Sequence, residues 1–84
     1  MSLQQDLLRF VRDELVGGAE GAAVDENTSL IDEGYIDSMA LMRLITFVED
    51  RTGVRIPDDE VLPDNFQSVT SIEALVDRMR SRGR

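Results

Sequence analysis

The sequence predicts an all-α protein: a small antiparallel four-helix bundle of three main helices and one short helix, with a long loop between the first two. Three observations support this prediction. Apolar residues recur every three or four positions in three separate segments. No segment alternates apolar and polar residues for long enough to predict a sheet. Glycine or proline separates the helical segments. A chain of 84 residues is expected to form one domain, spanning 1–84.

The first helix is predicted over 3–16. Its apolar face consists of Leu3, Leu7, Phe10, Val11 and Leu15. Ser2 and Gln5 have the spacing of a capping box, and Gly17 begins a glycine pair that provides the left-handed backbone of a helix end. A loop is then expected over 17–36, held to the core by Val24, Leu30, Ile31 and Ile36. Because loops of this length are uncommon in compact domains, this one is expected to be functional.

The second helix is predicted over 37–52. Its buried stripe is Leu41, Leu44, Ile45 and Val48. Thr52 and Gly53 end the helix, and Pro57 and Pro63 prevent a continuous helix after it. Between these breakers, a short extended pair is expected at Val54 and Ile56.

Two further helices complete the predicted bundle. A short helix over 64–68 carries Phe66 as its buried anchor. The last helix is predicted over 71–81, after a capping box formed by Thr70 and Glu73. Its apolar face is Ile72, Leu75, Val76 and Met79.

Three missing residue types limit the chemistry of the chain. It contains no Cys, no His and no Lys, and all nine basic residues are Arg. Disulfides, thiolate metal sites, the commonest general base and Schiff-base or lysine-attached cofactor chemistry are therefore excluded. If this protein carries a covalent cofactor, the cofactor needs another point of attachment.

The negative charge is concentrated in one window. Between Asp13 and Met42 there are eight acidic residues and no basic one, and this window accounts for the whole net charge of −8. Such a surface repels nucleic acid and anionic membranes and favours basic partner proteins. No apolar run is long enough to span a membrane, and the N-terminal sequence lacks signal-peptide features. The expectation is a cytoplasmic monomer that binds neither nucleic acid nor membrane.

Metal binding and serine hydrolysis are both disfavoured. A calcium loop starting at Asp25 would need Gly where Leu30 stands and Glu where Ile36 stands. A nucleophilic Ser38 would need a base within hydrogen-bonding reach, and the chain has neither His nor Lys. We therefore expect no metal site, no catalytic residue and no enzymatic activity.

Ser38 has a different use at the start of the second helix. If Asp37 is the N-cap, Ser38 occupies the first helical position, where its side chain is not needed for capping. A phosphate on its hydroxyl would face the positive end of the helix dipole and unpaired backbone N–H groups. The position therefore suits an attached phosphodiester.

The run D-E-G-Y-I-D-S-M, from Asp32 to Met39, resembles the phosphopantetheine attachment site of acyl and peptidyl carrier proteins. The family pattern ends in Asp-Ser-Leu, and Met39 replaces the leucine. The resemblance continues through F-V-E-D-R-T-G-V-R-I-P-D-D-E (47–60) and N-F-Q-S-V-T-S-I (65–72). It covers nearly the whole chain, and the carriers that this chain resembles are the freestanding ones.

The resemblance implies that Ser38 receives 4′-phosphopantetheine from coenzyme A through a phosphopantetheinyl transferase, with Asp37 as helix cap and recognition neighbour. The thiol of the arm would hold an acyl or aminoacyl group as a thioester. The carrier itself would be non-catalytic and would meet an acyl- or aminoacyl-activating ligase and a downstream transferase or synthase. This agrees with a chain that has no thiol or amine side chain of its own.

Partner contacts are expected at Met39, Met42 and Arg43, together with Asp32 and Glu33. An apolar and partly basic face after the serine differs from the acid-dense second helix of fatty-acid carriers. We therefore expect a role in polyketide or nonribosomal-peptide-type biosynthesis, or in amino-acid loading. Two alternatives stay open: a carrier for fatty-acid synthesis, and an unmodified carrier-like interaction module in which Ser38 is structural.

Overall fold

The computed structural model of the protein describes residues 2–82, among which there is no strand. The predicted all-α bundle is therefore confirmed. The helices are α1 (Leu3–Phe10), a π-helical continuation of it (Val11–Val16), α2 (Gly18–Ala22), α3 (Ser38–Thr52) and α4 (Val69–Arg82). Two 3₁₀ turns, Asp58–Glu60 and Pro63–Phe66, lie between α3 and α4.

The first helix changes type along its length. Its capping box is present: the Gln5 N–H donates to Ser2 Oγ at 3.1 Å, and the Ser2 N–H donates to Gln5 Oε1 at 3.5 Å. After Phe10 the helix widens into the π form and ends at Gly17, which has φ of +79°. The Gly17 N–H donates to the Arg12 carbonyl at 2.8 Å. The predicted helix over 3–16 is thus α-helical in its first half and π-helical in its second.

The predicted loop over 17–36 was wrong at Gly18–Ala22, which form α2. Gly21 is buried against the π-helical segment, where a Cβ atom on it would lie 2.3 Å from the Arg12 carbonyl oxygen. The Arg12 side chain in turn donates through Nε to the Val24 carbonyl at 2.7 Å. Helix propensity is low in G-A-E-G-A. We attribute α2 to this close contact with the preceding helix.

The rest of the connection is fixed to the beginning of α4. The Leu30 N–H donates to the Gln67 carbonyl at 2.7 Å. Thr70 donates to the Glu26 carbonyl twice, from its N–H at 3.0 Å and from its hydroxyl at 2.9 Å. Val24 and Leu30 are both buried, as predicted.

The predicted capping box of Thr70 and Glu73 was wrong. The hydroxyl of Ser68 accepts the Ser71 N–H at 3.2 Å, so Ser68 caps α4. The helix starts at Val69, two residues earlier than predicted, and this releases the Thr70 side chain for the loop. A Ser or Thr hydroxyl can cap a helix or bind another backbone group. Here the long-range contact with Glu26 uses the Thr70 hydroxyl, and Ser68 is the cap.

The core is built from the apolar faces that the sequence predicts. Phe66 is fully buried on the second 3₁₀ turn, and full burial of such a side chain contributes about 1.5–3 kcal/mol. The other buried residues on α3 and α4 include Leu44, Ile45, Val48, Ile72, Leu75, Val76 and Met79. Leu41 is only partly buried. Ile56 packs into the core without strand structure, and its N–H donates to Glu49 Oε2 at 2.9 Å.

A set of six side chains, here called the aromatic clasp, joins the first helix to α3. At its centre the rings of Phe10 and Phe47 are stacked, with centroids 4.3 Å apart and planes 14° apart. The other members are Asp6 and Glu14 on the first helix and Arg43 and Arg51 on α3. Each helix thus contributes three residues spaced four apart, acid–aromatic–acid on one and base–aromatic–base on the other.

The charged members of the aromatic clasp pair across the two helices. Arg51 lies 2.9 Å from Asp6, and Arg43 lies 3.6 Å from Glu14. Arg43 also lies 6.0 Å from the Phe10 ring centroid, and Arg51 lies 5.7 Å from that of Phe47. The pairs run in opposite order along the two helices, which are therefore antiparallel.

None of the helices within residues 2–82 combines the length and apolar character that crossing a membrane requires.

Candidate functional site

Ser38 is the first residue of α3, and Asp37 is its N-cap, as the sequence predicts. Asp37 has an extended backbone, and its Oδ1 accepts the Ala40 N–H at 2.8 Å. Its carbonyl accepts the Leu41 N–H at 2.9 Å. Ser38 is exposed, and its hydroxyl forms no hydrogen bond with any of residues 2–82. The capping role is therefore filled by Asp37, and the serine hydroxyl faces solvent.

A tight turn brings the chain to this position. The Glu33 N–H donates to the Ser29 carbonyl at 3.0 Å, and the Tyr35 N–H donates to the Leu30 carbonyl at 2.9 Å. Gly34 closes the turn with φ of +76°, a conformation that a residue with a side chain rarely adopts. Tyr35 and Ile36 then pack against the core. The next two residues, Asp37 and Ser38, emerge at the surface.

The start of α3 fits an attached phosphodiester. The backbone N–H groups of Ser38 and Met39 have no acceptor within residues 2–82. No acidic side chain occupies the first turn of the helix. The dipole of a helix favours negative charge at this end. A phosphate on the Ser38 oxygen would therefore lie among unpaired donors, and the residues present suit a phosphopantetheine arm.

The predicted partner residues differ in their surroundings. Met39 is 78% exposed and Met42 is 61% exposed, so both thioether side chains face solvent beside Ser38. Asp32 and Glu33 are exposed on the turn that precedes the site. Arg43 points to the flank of α3 that faces the first helix, where it belongs to the aromatic clasp.

Two cavities border Met42, and sequence reasoning identified neither. The first, here called the clasp groove, lies between the first helix and α3 and has a volume of about 440 Å³. It is lined by Phe10, Met42, Arg43, Thr46, Phe47 and Asp50. The second lies on the other side of α3, has a volume of about 720 Å³ and includes Ile45, Ile56 and Val61. The sequence feature that could have indicated the clasp groove is the four-residue spacing of Ser38, Met42, Thr46 and Asp50.

Within residues 2–82, no cluster of three or more side chains of the metal-binding types is close enough to hold an ion.

Comparison with known families gives a match that includes this site. Residues 11–79 match the family described as "Phosphopantetheine attachment site". This segment contains Asp37, Ser38 and both exposed methionines.

Similar curated proteins share one type of name. A protein of Serratia sp. (strain ATCC 39006) called "Probable acyl carrier protein PigG" is 30% identical over 79 residues, covering 94% of this chain and 90% of that protein. "Aminoacyl carrier protein 1" of Bradyrhizobium diazoefficiens is 34% identical over 70 residues, covering 83% and 77% of the two chains. "D-alanyl carrier protein" of Enterococcus faecalis is 28% identical over 79 residues, covering 89% and 99%.

One solved structure is also similar. It is described as "Crystal structure of FAD-dependent dehydrogenase", and one of its chains superposes with a TM-score of 0.75 at 31% identity. The match covers 83% of this chain and 97% of the other.

Proposed function

We propose, from the premise that this chain belongs to the phosphopantetheine attachment-site family of carrier proteins, that Ser38 is the residue to which 4′-phosphopantetheine is attached. The observation that carries the proposal is the exposed, unbonded hydroxyl of Ser38 at the first position of α3. Asp37 supports the assignment because it takes the capping role and fixes the backbone on which a transferase would act.

The attachment reaction uses the Ser38 oxygen as nucleophile. The oxygen attacks the phosphorus that bears the pantetheine of coenzyme A, the pyrophosphate bond breaks, and 3′,5′-ADP leaves. We assign the base that takes the hydroxyl proton to the phosphopantetheinyl transferase, since the chain has no His or Lys and the adjacent Asp37 carboxylate accepts the Ala40 N–H. When bound, the arm supplies a thiol that holds an acyl or aminoacyl group as a thioester.

The carrier has no catalytic role of its own in this proposal. An acyl- or aminoacyl-activating ligase loads the cargo, and a downstream transferase or synthase receives it. The protein acts as a cytoplasmic monomer. Asp32 and Glu33 contribute to docking through their exposed charges, and Met39 and Met42 contribute adaptable apolar contacts. Arg43 contributes its remaining exposed surface, since 54% of its side chain stays accessible.

The cargo class that we propose is an aminoacyl group or another natural-product building block. Relatives named as aminoacyl and D-alanyl carriers support this choice. The exposed methionines after Ser38 also support it, because the start of α3 offers a partner apolar contacts in place of acidic ones.

A second proposal concerns oxidation of the cargo. The solved chain that resembles this protein is matched over 97% of its length by 83% of an 84-residue protein, so it has the size of a carrier. We infer that this crystal holds a carrier together with an FAD-dependent dehydrogenase. For the present chain, such a partner would take two hydrogens from the bound cargo, and its FAD would become FADH₂.

Intact mass measurement tests the attachment. The purified protein is incubated with coenzyme A and a broad-specificity phosphopantetheinyl transferase. We expect the wild type and a matched Ser29→Ala variant to gain one phosphopantetheine, and Ser38→Ala to gain none. A mass gain that survives Ser38→Ala would assign the arm to another residue. No gain with several transferases would support the unmodified interaction module instead.

Loading kinetics test the docking face. Met42→Glu places a charge on the exposed apolar surface beside Ser38. We expect it to slow loading by the cognate activating enzyme while phosphopantetheinylation proceeds as in the wild type. Unchanged loading would remove Met42 from the docking face.

A further inference from the structure

We propose that the clasp groove binds the cargo of the arm when that cargo is an aminoacyl group with a free cationic amine. The proposal rests on the attachment of the arm to Ser38. It assigns the ammonium of the cargo to Asp50, and the carbon side chain of the cargo to Phe47 and Met42.

The groove is within reach of Ser38 along α3. Met42, Thr46 and Asp50 follow Ser38 at four-residue intervals, so Thr46 lies about 12 Å and Asp50 about 18 Å from it along the helix axis. An extended phosphopantetheine arm is long enough to cover these distances. Each four-residue step also advances about 40° around the helix. The row of residues therefore drifts from Ser38 towards the flank that packs on the first helix.

The groove has an apolar floor and one unpaired acid. Its floor consists of the rings of Phe10 and Phe47 and the side chain of Met42. Asp50 is exposed and has no hydrogen bond or ion pair within residues 2–82. Arg43, which also lines the groove, already pairs with Glu14 at 3.6 Å. Of the two charged residues that line the groove, Asp50 is therefore the one without a partner in the described part of the chain.

An aminoacyl thioester matches this arrangement. Its ammonium supplies the positive charge that Asp50 lacks among the described residues. Thr46 is exposed and makes no side-chain hydrogen bond within residues 2–82, so its hydroxyl is available to the cargo. A simple fatty acyl group has no cation and would leave Asp50 unpaired.

The cavity on the other side of α3 suits a different cargo. It is larger, at about 720 Å³, and includes Ile45, Ile56 and Val61. Its lining carries two acids and one base: Glu49 accepts the Ile56 N–H at 2.9 Å, and Asp58 lies in the same lining as Arg55. In that cavity Arg55 offsets the charge of Asp58, whereas the one base of the clasp groove, Arg43, pairs with Glu14 outside the groove lining. The two sides of α3 thereby distinguish charged from uncharged cargo.

A pair of loaded carriers tests the proposal by NMR. The probes are valyl and isovaleryl groups, which differ only in the amine. Each is joined through a stable amide to a pantetheine arm, and the transferase attaches the arm to protein labelled at its methionine methyl groups. We expect the valyl carrier to shift the Met42 methyl resonance and to show contacts between valyl methyl groups and the Phe47 ring. The isovaleryl carrier lacks the ion pair with Asp50, so we expect it to show both effects about 1.4- to 5-fold more weakly.

Two variants sharpen the test. Asp50→Asn removes the charge but keeps the shape, and we expect it to lower the bound population of the valyl group about 1.4- to 5-fold, the range for one exposed ion pair. Asp77→Asn removes a remote exposed carboxylate on α4 and should leave that population unchanged.

The outcomes separate this proposal from the one on which it rests. Absence of the mass gain at the loading step would overturn both. A mass gain without contacts at Phe47, or with equal effects of valyl and isovaleryl groups, would overturn the groove alone. Contacts of the valyl group with Ile56 and Val61 would assign the cargo to the other cavity and overturn it as well.

Discussion

The ring of Phe10 lies nearly parallel to the ring of Phe47, with 4.3 Å between centroids and 14° between planes. One ring belongs to the first helix and the other to α3, the helix that begins at Ser38. The ion pairs Asp6–Arg51 and Glu14–Arg43 flank the stack on its two sides. The aromatic clasp therefore couples the attachment helix to the first helix over two helical turns.

A double-mutant cycle is expected to detect this coupling. Phe10→Leu and Phe47→Leu each remove one ring while keeping apolar volume. We expect an interaction free energy of about 0.5–1.5 kcal/mol between them, the range measured for aromatic pairs. Urea denaturation of the wild type, both single variants and the double variant gives this value. Phe10→Leu combined with Leu62→Ala, at an exposed position in another segment, should be additive within about 0.3–0.5 kcal/mol. Additivity of the two ring changes would contradict the stack.

Asp37 caps α3 and Ser38 does not, so substitutions of these two residues are expected to lower the free energy of unfolding by unequal amounts. Asp37→Ala removes the acceptor of the Ala40 N–H and should lower the free energy of unfolding by about 0.5–2 kcal/mol. Asp37→Asn, which keeps an acceptor, should cost less. Ser38→Ala should stay within about 0.5 kcal/mol of the wild type, because its hydroxyl is exposed and has no partner in the described residues. If Ser38→Ala costs as much as Asp37→Ala, the serine is the cap and our assignment is wrong.

Gly21 is expected to resist a change that usually stabilises helices. Gly→Ala inside a helix gains up to about 1 kcal/mol by propensity. At Gly21, however, the new methyl group would meet the Arg12 carbonyl oxygen at 2.3 Å, so the two segments would have to separate. We expect Gly21→Ala to lower the free energy of unfolding by about 1–3 kcal/mol, as for overpacking elsewhere. Glu20→Ala, exposed in the same helix, is the control. A more stable Gly21→Ala variant would show that α2 does not pack this closely.

The pH dependence of stability is expected to include a contribution from Asp25. The Asn27 N–H, followed by the Thr28 hydroxyl, donates to its carboxylate at 2.9 and 3.1 Å and lowers the pKa of Asp25 below its usual 3.8. A lowered pKa means that the charged form stabilises the folded state near neutral pH. This contribution is lost as the pH falls through the lowered pKa.

Asp25→Asn tests this dependence, because it removes the charge and keeps an acceptor oxygen. Between about pH 7 and about pH 2.5, which is below the pKa of an unperturbed Asp, the variant should lose less stability than the wild type. Thermal unfolding at both pH values measures the difference. Asp77→Asn, at an exposed site on α4, serves as the comparison. Equal acid sensitivity of the wild type and Asp25→Asn would show that Asp25 does not contribute to the pH dependence of stability.

Features set by neighbours in the sequence were predictable. The cap at Asp37, the capping box at Ser2 and the buried faces of α3 and α4 all depend on residues within a few positions of one another. Side-chain period and capping chemistry suffice for such features. The position of Ser38 on the outside of a helix start follows from the same local rules.

Features set by distant contacts were not predictable. α2 has little intrinsic helix propensity and depends on the fit of Gly21 against Arg12. Thr70 had the spacing of a cap, but its hydroxyl binds Glu26, which is 44 residues away in the sequence. The clasp groove requires the crossing of two helices, which fixes Phe10 beside Phe47. A single sequence does not contain that crossing geometry.

Ser38 lies at one end of α3, so any tilt of this helix displaces the serine. Fifteen residues give the helix a length of about 22 Å, and a tilt of about 5° at one end would move the other by about 2 Å. Displacements of about 1 Å are enough to slow reactions between positioned groups. The aromatic clasp holds α3 through Arg43, Phe47 and Arg51, which lie in the middle and the C-terminal part of the helix. The rigidity of these contacts therefore determines how precisely Ser38 is positioned for a partner enzyme, even though none of the three residues contacts Ser38.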